Sequence, residues 1–230
     1  MGLVEITFFG HSFFKVDFEG TKVLFDPFIN NTCSDSAFKR ILPCTAKKCH
    51  LNDIDLILVS HEHFDHFDKK AIENLVKQNN CFVLSHDNVL NELEIEKRFL
   101  FPISLDQKIN IKNLTIECVT AHHPESFYPV GFIVSSKAKS IYFSGDTSLI
   151  DSFSKIKADV ALLPIGGTYT MDCVDGVKAT KLMKPKYVIP MHYNTFQMIK
   201  ADPEEFKRKI EKSVLTTQPI LLQPGETFKF

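Results

Sequence analysis

The strongest constraint on this chain lies between residues 55 and 66. Asp55-Leu56-Ile57-Leu58-Val59-Ser60 is an almost continuous apolar run, as in a strand buried on both faces. It leads directly into His61-Glu62-His63-Phe64-Asp65-His66. Helical spacing then begins at Asp68, a plausible N-cap, with Ala71, Ile72, Leu75 and Val76 on one stripe. Three imidazoles and two carboxylates therefore fall at the C-terminal end of a strand. That is where an α/β-type sheet places its site.

The remainder supplies sheets and their cover. Leu3–Phe9, Phe13–Phe18 and Thr21–Phe25 read as strands broken by Gly10 and Glu19-Gly20, before a loop of little periodicity from Pro27 to Leu51. Cys81–Ser85 reads as a strand and Asp87–Lys97 as a helix. Lys108–Val119, Val130–Ser135 and Ser140–Ser144 read as strands, Ser148–Lys157 as a helix, and Val160–Pro164 as another buried strand. Asp175–Met183 is a predicted helix stopped by Lys184-Pro185, and Lys186–Pro190 a strand. Asp202-Pro203-Glu204-Glu205 starts a helix with cap, proline and acids in order. Pro219–Gln223 and Glu226–Phe230, about Pro224-Gly225, look like a closing hairpin. β-rich blocks followed by alternating strand and helix, repeated twice, suggest a layered αββα arrangement of the mixed α/β (α+β) class. A length of 230 residues with 44% apolar content and no Pro/Gly/Ser-rich linker predicts one domain, 1–230.

Composition narrows the partners. With 27 basic and 28 acidic residues the net charge of −1 argues against nucleic acid. No window approaches the roughly 18 apolar residues of a membrane span. The start, Met1-Gly2-Leu3-Val4-Glu5-Ile6, has neither a basic nor a hydrophobic signal region, so a cytoplasmic setting is expected. The 21 Phe residues read as core filling. Cys33, Cys44, Cys49 and His50 could form an extra metal site but lack a C-x-x-C knuckle, which favours ordinary loop cysteines. Neither G-x-S-x-G nor a P-loop occurs.

Imidazole and carboxylate without thiol suit Zn, Fe or Mn. His61 and His63 can address one metal, and Asp65 and His66 another. The H-x-H-x-D-H segment resembles the signature of the metallo-β-lactamase superfamily. Thr120-Ala121-His122-His123-Pro124, Ser144-Gly145-Asp146-Thr147 and Pro190-Met191-His192-Tyr193 follow in that family's order. Gly10-His11-Ser12, Phe25-Asp26-Pro27-Phe28 and the stretch 163–172 narrow the resemblance to small UlaG-like, UPF0173-type hydrolases.

The resemblance implies a four-layer αββα sandwich with two divalent metal ions, Zn first and Mn or Fe as alternatives. One metal would take His61, His63 and His123, the other Asp65, His66 and His192, with Asp146 shared. In the subgroup this later ligand follows a small residue and an aromatic, which assigns it to His123 and the aromatic slot to His122. A bridging hydroxide would attack carbon or phosphorus, with Asp65 steering it or passing a proton. The implied small-molecule substrates are phosphodiesters first, then lactones or other esters. Asp26 is expected to orient a ligand histidine. His11 joins Asp65 as a catalytic candidate near the metals, against a buried histidine bonded to backbone. Gly166-Gly167 would either let a substrate approach backbone or form a tight turn. Two rivals stand beside the hydrolase: a non-catalytic metal- or ligand-binding module, and a di-iron oxidoreductase, which usually carries Glu where this chain has His63. Exposed sheet edges and the 27–51 loop leave a homo-oligomer open.

Overall fold

The computed structural model describes residues 2–30 and 38–230. Two seven-stranded sheets carry it. The first contains β1 (Val4–Gly10), β2 (Phe13–Phe18), β3 (Thr21–Phe25), β4 (Leu56–Leu58), β5 (Phe82–Ser85) and β6 (Leu100–Pro102), with β14 (Thr227–Lys229) outside β1. The second contains β7 (Lys108–Ile111), β8 (Leu114–Thr120), β9 (Val130–Ser135), β10 (Ser140–Phe143), β11 (Val160–Pro164) and β12 (Tyr187–Met191), with β13 (Gln218–Pro219) outside β12.

Alternation along the strands decides the layers. In β2, Phe14, Val16 and Phe18 enter one core while Phe13 enters another. Leu56 and Leu58 of β4 join the first of these and Ile57 the second. Val160 and Leu162 of β11 meet them from the other sheet, and Ala161 and Leu163 face away. The shared core lies between the sheets, where Phe25 and Phe143 meet at 5.0 Å. Each fully buried Phe there contributes about 2 kcal/mol relative to exposure. The outer cores lie under helices: α1 (Lys69–Asn79) and α2 (Asp87–Leu90) on the first sheet, α3 (Cys173–Met183) and α4 (Pro203–Ser213) on the second. The layers are αββα, as expected.

Strand direction then gathers loops at one edge. β1, β2 and β3 are successively antiparallel, so β1 and β3 run alike, and β4, β5 and β6 run parallel to β3. The same logic makes β8 and β10 run alike, with β11 and β12 parallel to β10. The C-terminal ends of β1, β3 and β4 in one sheet, and of β8, β10 and β12 in the other, therefore carry the loops that matter.

Several elements differ from the sequence reading. The run 108–119 is a hairpin, β7 and β8, turning at Lys112, whose φ is 55°. The helix begun at Asp87 stops at Leu90. Beyond it the Glu94 N–H donates to the Glu73 side chain at 2.9 Å, and the chain goes on to form the edge strand β6. Residues 151–155 form a 3₁₀ helix because Ile150, Phe153 and Ile156 repeat every third residue, and their bonds run i to i+3. The tail is no hairpin: β13 pairs parallel with β12, whereas β14 pairs antiparallel with β1 in the other sheet. No helix among the described residues is long and apolar enough to cross a membrane.

Candidate active site

The edge is crowded because the backbone turns sharply there. His11 follows β1, Asp26 follows β3 and His192 follows β12, all with positive φ: 61°, 41° and 53°. Non-glycine residues rarely adopt this region, and such outliers cluster at functional sites. The His192 N–H donates to the His11 carbonyl at 2.9 Å, which ties the two sheets together at the site. Gly145, φ 58°, lets Asp146 enter; a Cβ there would lie 2.7 Å from the Ser60 Cβ.

Asp26, fully buried, organises the floor. One oxygen accepts from the Ser60 N–H at 2.7 Å; the other lies 2.6 Å from both the Ser60 hydroxyl and His66 Nδ1. This leaves His66 Nε2 facing Asp146 Oδ1 at 3.2 Å. Ser60 Oγ also meets His61 Nδ1 at 2.8 Å, so His61 Nε2 points inward. His63 turns Nε2 to the Glu125 carbonyl at 3.2 Å and Nδ1 to His123 Nε2 at 3.1 Å. Asp146 Oδ2 lies 3.0 Å from His192 Nε2 and 4.0 Å from His123 Nε2. His11 Nε2 meets Asp65 Oδ2 at 3.1 Å, and His192 Nε2 lies 3.8 Å from the same oxygen.

Among the described residues three groups have ligand spacing: His61, His63 and His123; His11, Asp65, His66 and His192; and Asp26, His61 and His66, in which Asp26 already holds His66 Nδ1. Asp146 reaches the first two, through His123 and through His66 and His192. All the site residues singled out in the sequence thus converge, including Asp26 and His11. His11 binds a carboxylate rather than backbone. His123 is buried in the cluster while His122 is exposed. Among the described residues no cysteine belongs to such a group, and Cys33 lies outside them. Gly166 is no opening for substrate, since a Cβ there would lie 2.2 Å from the His192 carbonyl.

The electrostatics call for a cation. Burial opposes charge on His66, yet Asp146 and Asp26 outweigh it and raise its pKa well above the usual value. Burial would raise Asp146, but His192 and His66 hold it well below the carboxylate range. Burial, then His66, pushes His61 far down, and burial, then His192, lowers His11 to about 3. Without an ion, the proton on His66 supplies the positive charge that Asp146 and Asp26 demand; a metal ion there would replace that proton and leave the imidazole neutral. His61 Nε2 is buried without a partner, and His66 Nε2, His192 Nε2 and Asp146 Oδ1 are buried and make only the ion-pair contacts above, outside hydrogen-bond geometry. A buried polar atom without a good hydrogen bond costs about 1–3 kcal/mol, and donor atoms of this kind drawn together in one place fit a metal centre.

Other contributors were not anticipated. Glu62 accepts from Phe127 N–H, Ser126 Oγ and Asn88 Nδ2, pinning the loop that bears His123 and Glu125. Its position inside the H-x-H motif was the available signal. Beside the metal-type residues opens a cavity of about 340 Å³ lined also by Phe38, Phe64, Tyr169, Phe196, Met198 and Ile199. These rings come from distant segments and carry no local signal; several Phe residues read as core line the cavity instead.

Residues 5–192 match the sequence family described as the beta-lactamase superfamily domain. The chain belongs to the metallo-β-lactamase superfamily. This metallo-β-lactamase-fold chain is 38% identical to a UPF0173 metal-dependent hydrolase of Staphylothermus marinus, with 98% of each chain covered. It is 37% identical to another from Carboxydothermus hydrogenoformans, covering 97% of this chain and 98% of that one. Igni18, a metallo hydrolase of Ignicoccus hospitalis, superposes with a TM-score of 0.85 at 31% identity, covering 99% of this chain and 98% of its own. The chain is thus a metal-dependent hydrolase of the UPF0173 type.

Proposed function

We propose that this hydrolase is dinuclear and acts on a small-molecule phosphodiester, lactone or other ester. The observation that carries the reading is that His and Asp side chains with ligand spacing meet there, where His61, His66, His192 and Asp146 present buried atoms that make no well-formed hydrogen bond. His61, His63 and His123 would hold one metal, and Asp65, His66 and His192 the other, with Asp146 reaching both. Zn is the first choice for imidazole and carboxylate without thiol, and Mn or Fe share these preferences. Bound there, the metals supply an acidified water and polarise the carbonyl or phosphoryl oxygen.

The protein's own part is orientation. Asp26 and Ser60 hold Nδ1 of His66 and His61, and the Glu125 carbonyl holds Nε2 of His63, so the opposite nitrogen of each ring faces the centre. Asp65 Oδ2, held by His11 Nε2, is the carboxylate placed to orient water and accept its proton. His11 acts through Asp65 as a positioning residue.

Metal per chain, measured by inductively coupled plasma mass spectrometry, is expected near two in the native protein. Asp146→Ala and His123→Ala should lose metal and turnover with the circular dichroism spectrum kept, and His122→Ala should retain both. Full metal content and turnover in Asp146→Ala would sink the assignment.

A further inference from the structure

The cavity beside the metal-type residues has an unusual wall. Phe28, Phe196 and Ile199 form a small buried cluster of their own, separate from the three main cores, with Phe38 and Met198 packed on it. The rings of Phe38, Phe64 and Phe196 pack at 5.2–6.0 Å. Phe64 remains 42% exposed although it sits between His63 and Asp65, and Tyr169 remains 40% exposed across the opening. Apolar surface is therefore kept accessible right against the reacting centre, which is how small-ligand sites gain affinity.

The charge inventory points the same way. The charged residues lining the cavity are Asp65, Glu125 and Asp146, and no Lys or Arg lines it among the described residues. Arg40 does not line it: its Nε and Nη1 donate to the carbonyls of Leu42 and Phe28, its guanidinium lies 4.2 Å over the Phe28 ring, and its Nη2 is buried without a hydrogen-bond partner. Asp65 and Asp146 would be offset by the metals they hold, so Glu125 is the charge left at the opening, and among the described residues no side-chain cation lines the cavity to offset it for an anionic substrate. A neutral acyl compound would not suffer this repulsion.

Resting on the hydrolase reading above, we propose that the substrate is an uncharged ester or lactone bearing an alkyl or aryl substituent, which the Phe38–Phe64–Tyr169–Phe196 wall binds while its carbonyl meets the centre. Hydrolysis adds water across the acyl C–O bond, which breaks to leave the carboxylic acid and the alcohol, so no further reactant is required.

The test compares γ-nonalactone with γ-butyrolactone on the metal-loaded full chain. The pentyl group should raise kcat/KM about tenfold or more, a fraction of what complete burial of its carbons would give. Both lactones should be cleaved faster than bis(4-nitrophenyl) phosphate. The chain-length ratio should fall toward unity in Phe64→Ala and Tyr169→Ala, whose exposed side chains can be truncated without opening a core. A second readout needs no turnover: saturation-transfer NMR with 2-pentylcyclopentanone, which cannot be hydrolysed, should show saturation of the pentyl protons that both variants lose. A flat length dependence, an unaltered ratio in the variants, a preference for the phosphodiester, or no saturation of the pentyl chain would each overturn the proposal. If no ester, lactone or phosphodiester is cleaved while the pentyl chain is still saturated in a Phe64-dependent way, the hydrolase reading fails and the apolar site stands.

Discussion

The two sheets with their helices are built alike and do different work. Asp55 precedes β4 and Asp159 precedes β11. Each accepts from the backbone N–H of a neighbouring strand, at Lys22 and Ser140, and each is paired with a lysine, Lys112 and Lys186. Asp68 caps α1 and Asp172 caps α3, and both helices end on left-handed residues, Asn80 and Lys184. One constant offset relates all three pairs. At that offset His61, His63, Asp65 and His66 of the first unit meet Ile165, Gly167, Tyr169 and Thr170 of the second. The scaffold is repeated, whereas this loop supplies candidate metal ligands in one copy and backbone packing with an aromatic wall residue in the other. A strand-to-helix loop at a parallel edge is thus a location for chemistry, and its residues alone decide whether chemistry occurs there.

The sharpest way to break the comparison is to change corresponding loop positions. His66→Ala should lose metal and reduce turnover by more than about 100-fold, beyond the 10–100-fold typical of residues that merely orient ligands. Thr170→Ala should leave metal content unchanged. Equal metal loss in the two variants, measured by mass spectrometry, would show that both loops hold the centre.

The caps should differ by less. Asp172→Ala is expected to cost about 1 kcal/mol, the usual value of a helix cap. Asp68→Ala should cost about 2–3 kcal/mol, because its second oxygen also accepts from the backbone N–H of Asn30 at 2.8 Å and of Ile29 at 3.3 Å. Urea midpoints would compare them, and equal losses would mean that the extra bonds contribute nothing.

The smallest effect concerns the strand-edge aspartates. Burial would raise the pKa of Asp159, but Lys186 and Ser140 outweigh it and hold the carboxyl below its ordinary range. A depressed folded-state pKa gives stability that is present above the unfolded value of about 3.9 and is lost as pH falls through the folded one. Asp159→Asn should therefore cost about 1 kcal/mol at pH 7, and the gap in urea midpoint should close as pH drops below about 4. A gap that stays constant down to pH 3 would remove the charge from the explanation.

The sequence displayed these parts unevenly. The candidate ligands were legible because each group of them follows an apolar strand, and helix starts at Asp68 and Asp202 were legible because capping is local chemistry. In 108–119 the apolar positions shift phase, from Ile109 and Ile111 to Leu114, Ile116 and Cys118, and that shift marks a turn that residue type at Lys112 disguises. The Pro224-Gly225 turn is real, with Glu226 N–H donating to the Gln223 carbonyl, but its arms are claimed by strands far away in the chain. Pairing across such separations has no local signature, and neither has the ring wall of the cavity, drawn from residues 38, 64, 169 and 196.

The position of β14 bears on how the protein is made. β1, Val-Glu-Ile-Thr-Phe-Phe-Gly, is rich in β-forming residues, and its outer edge is covered only when Thr227 pairs with Thr7. During synthesis that edge stays open for almost the whole passage of the chain through the ribosome. An uncovered, weakly charged strand of this kind templates association between nascent chains. β14 thus closes the edge of a strand made long before it, and until it does so β1 stands open to pairing with another chain.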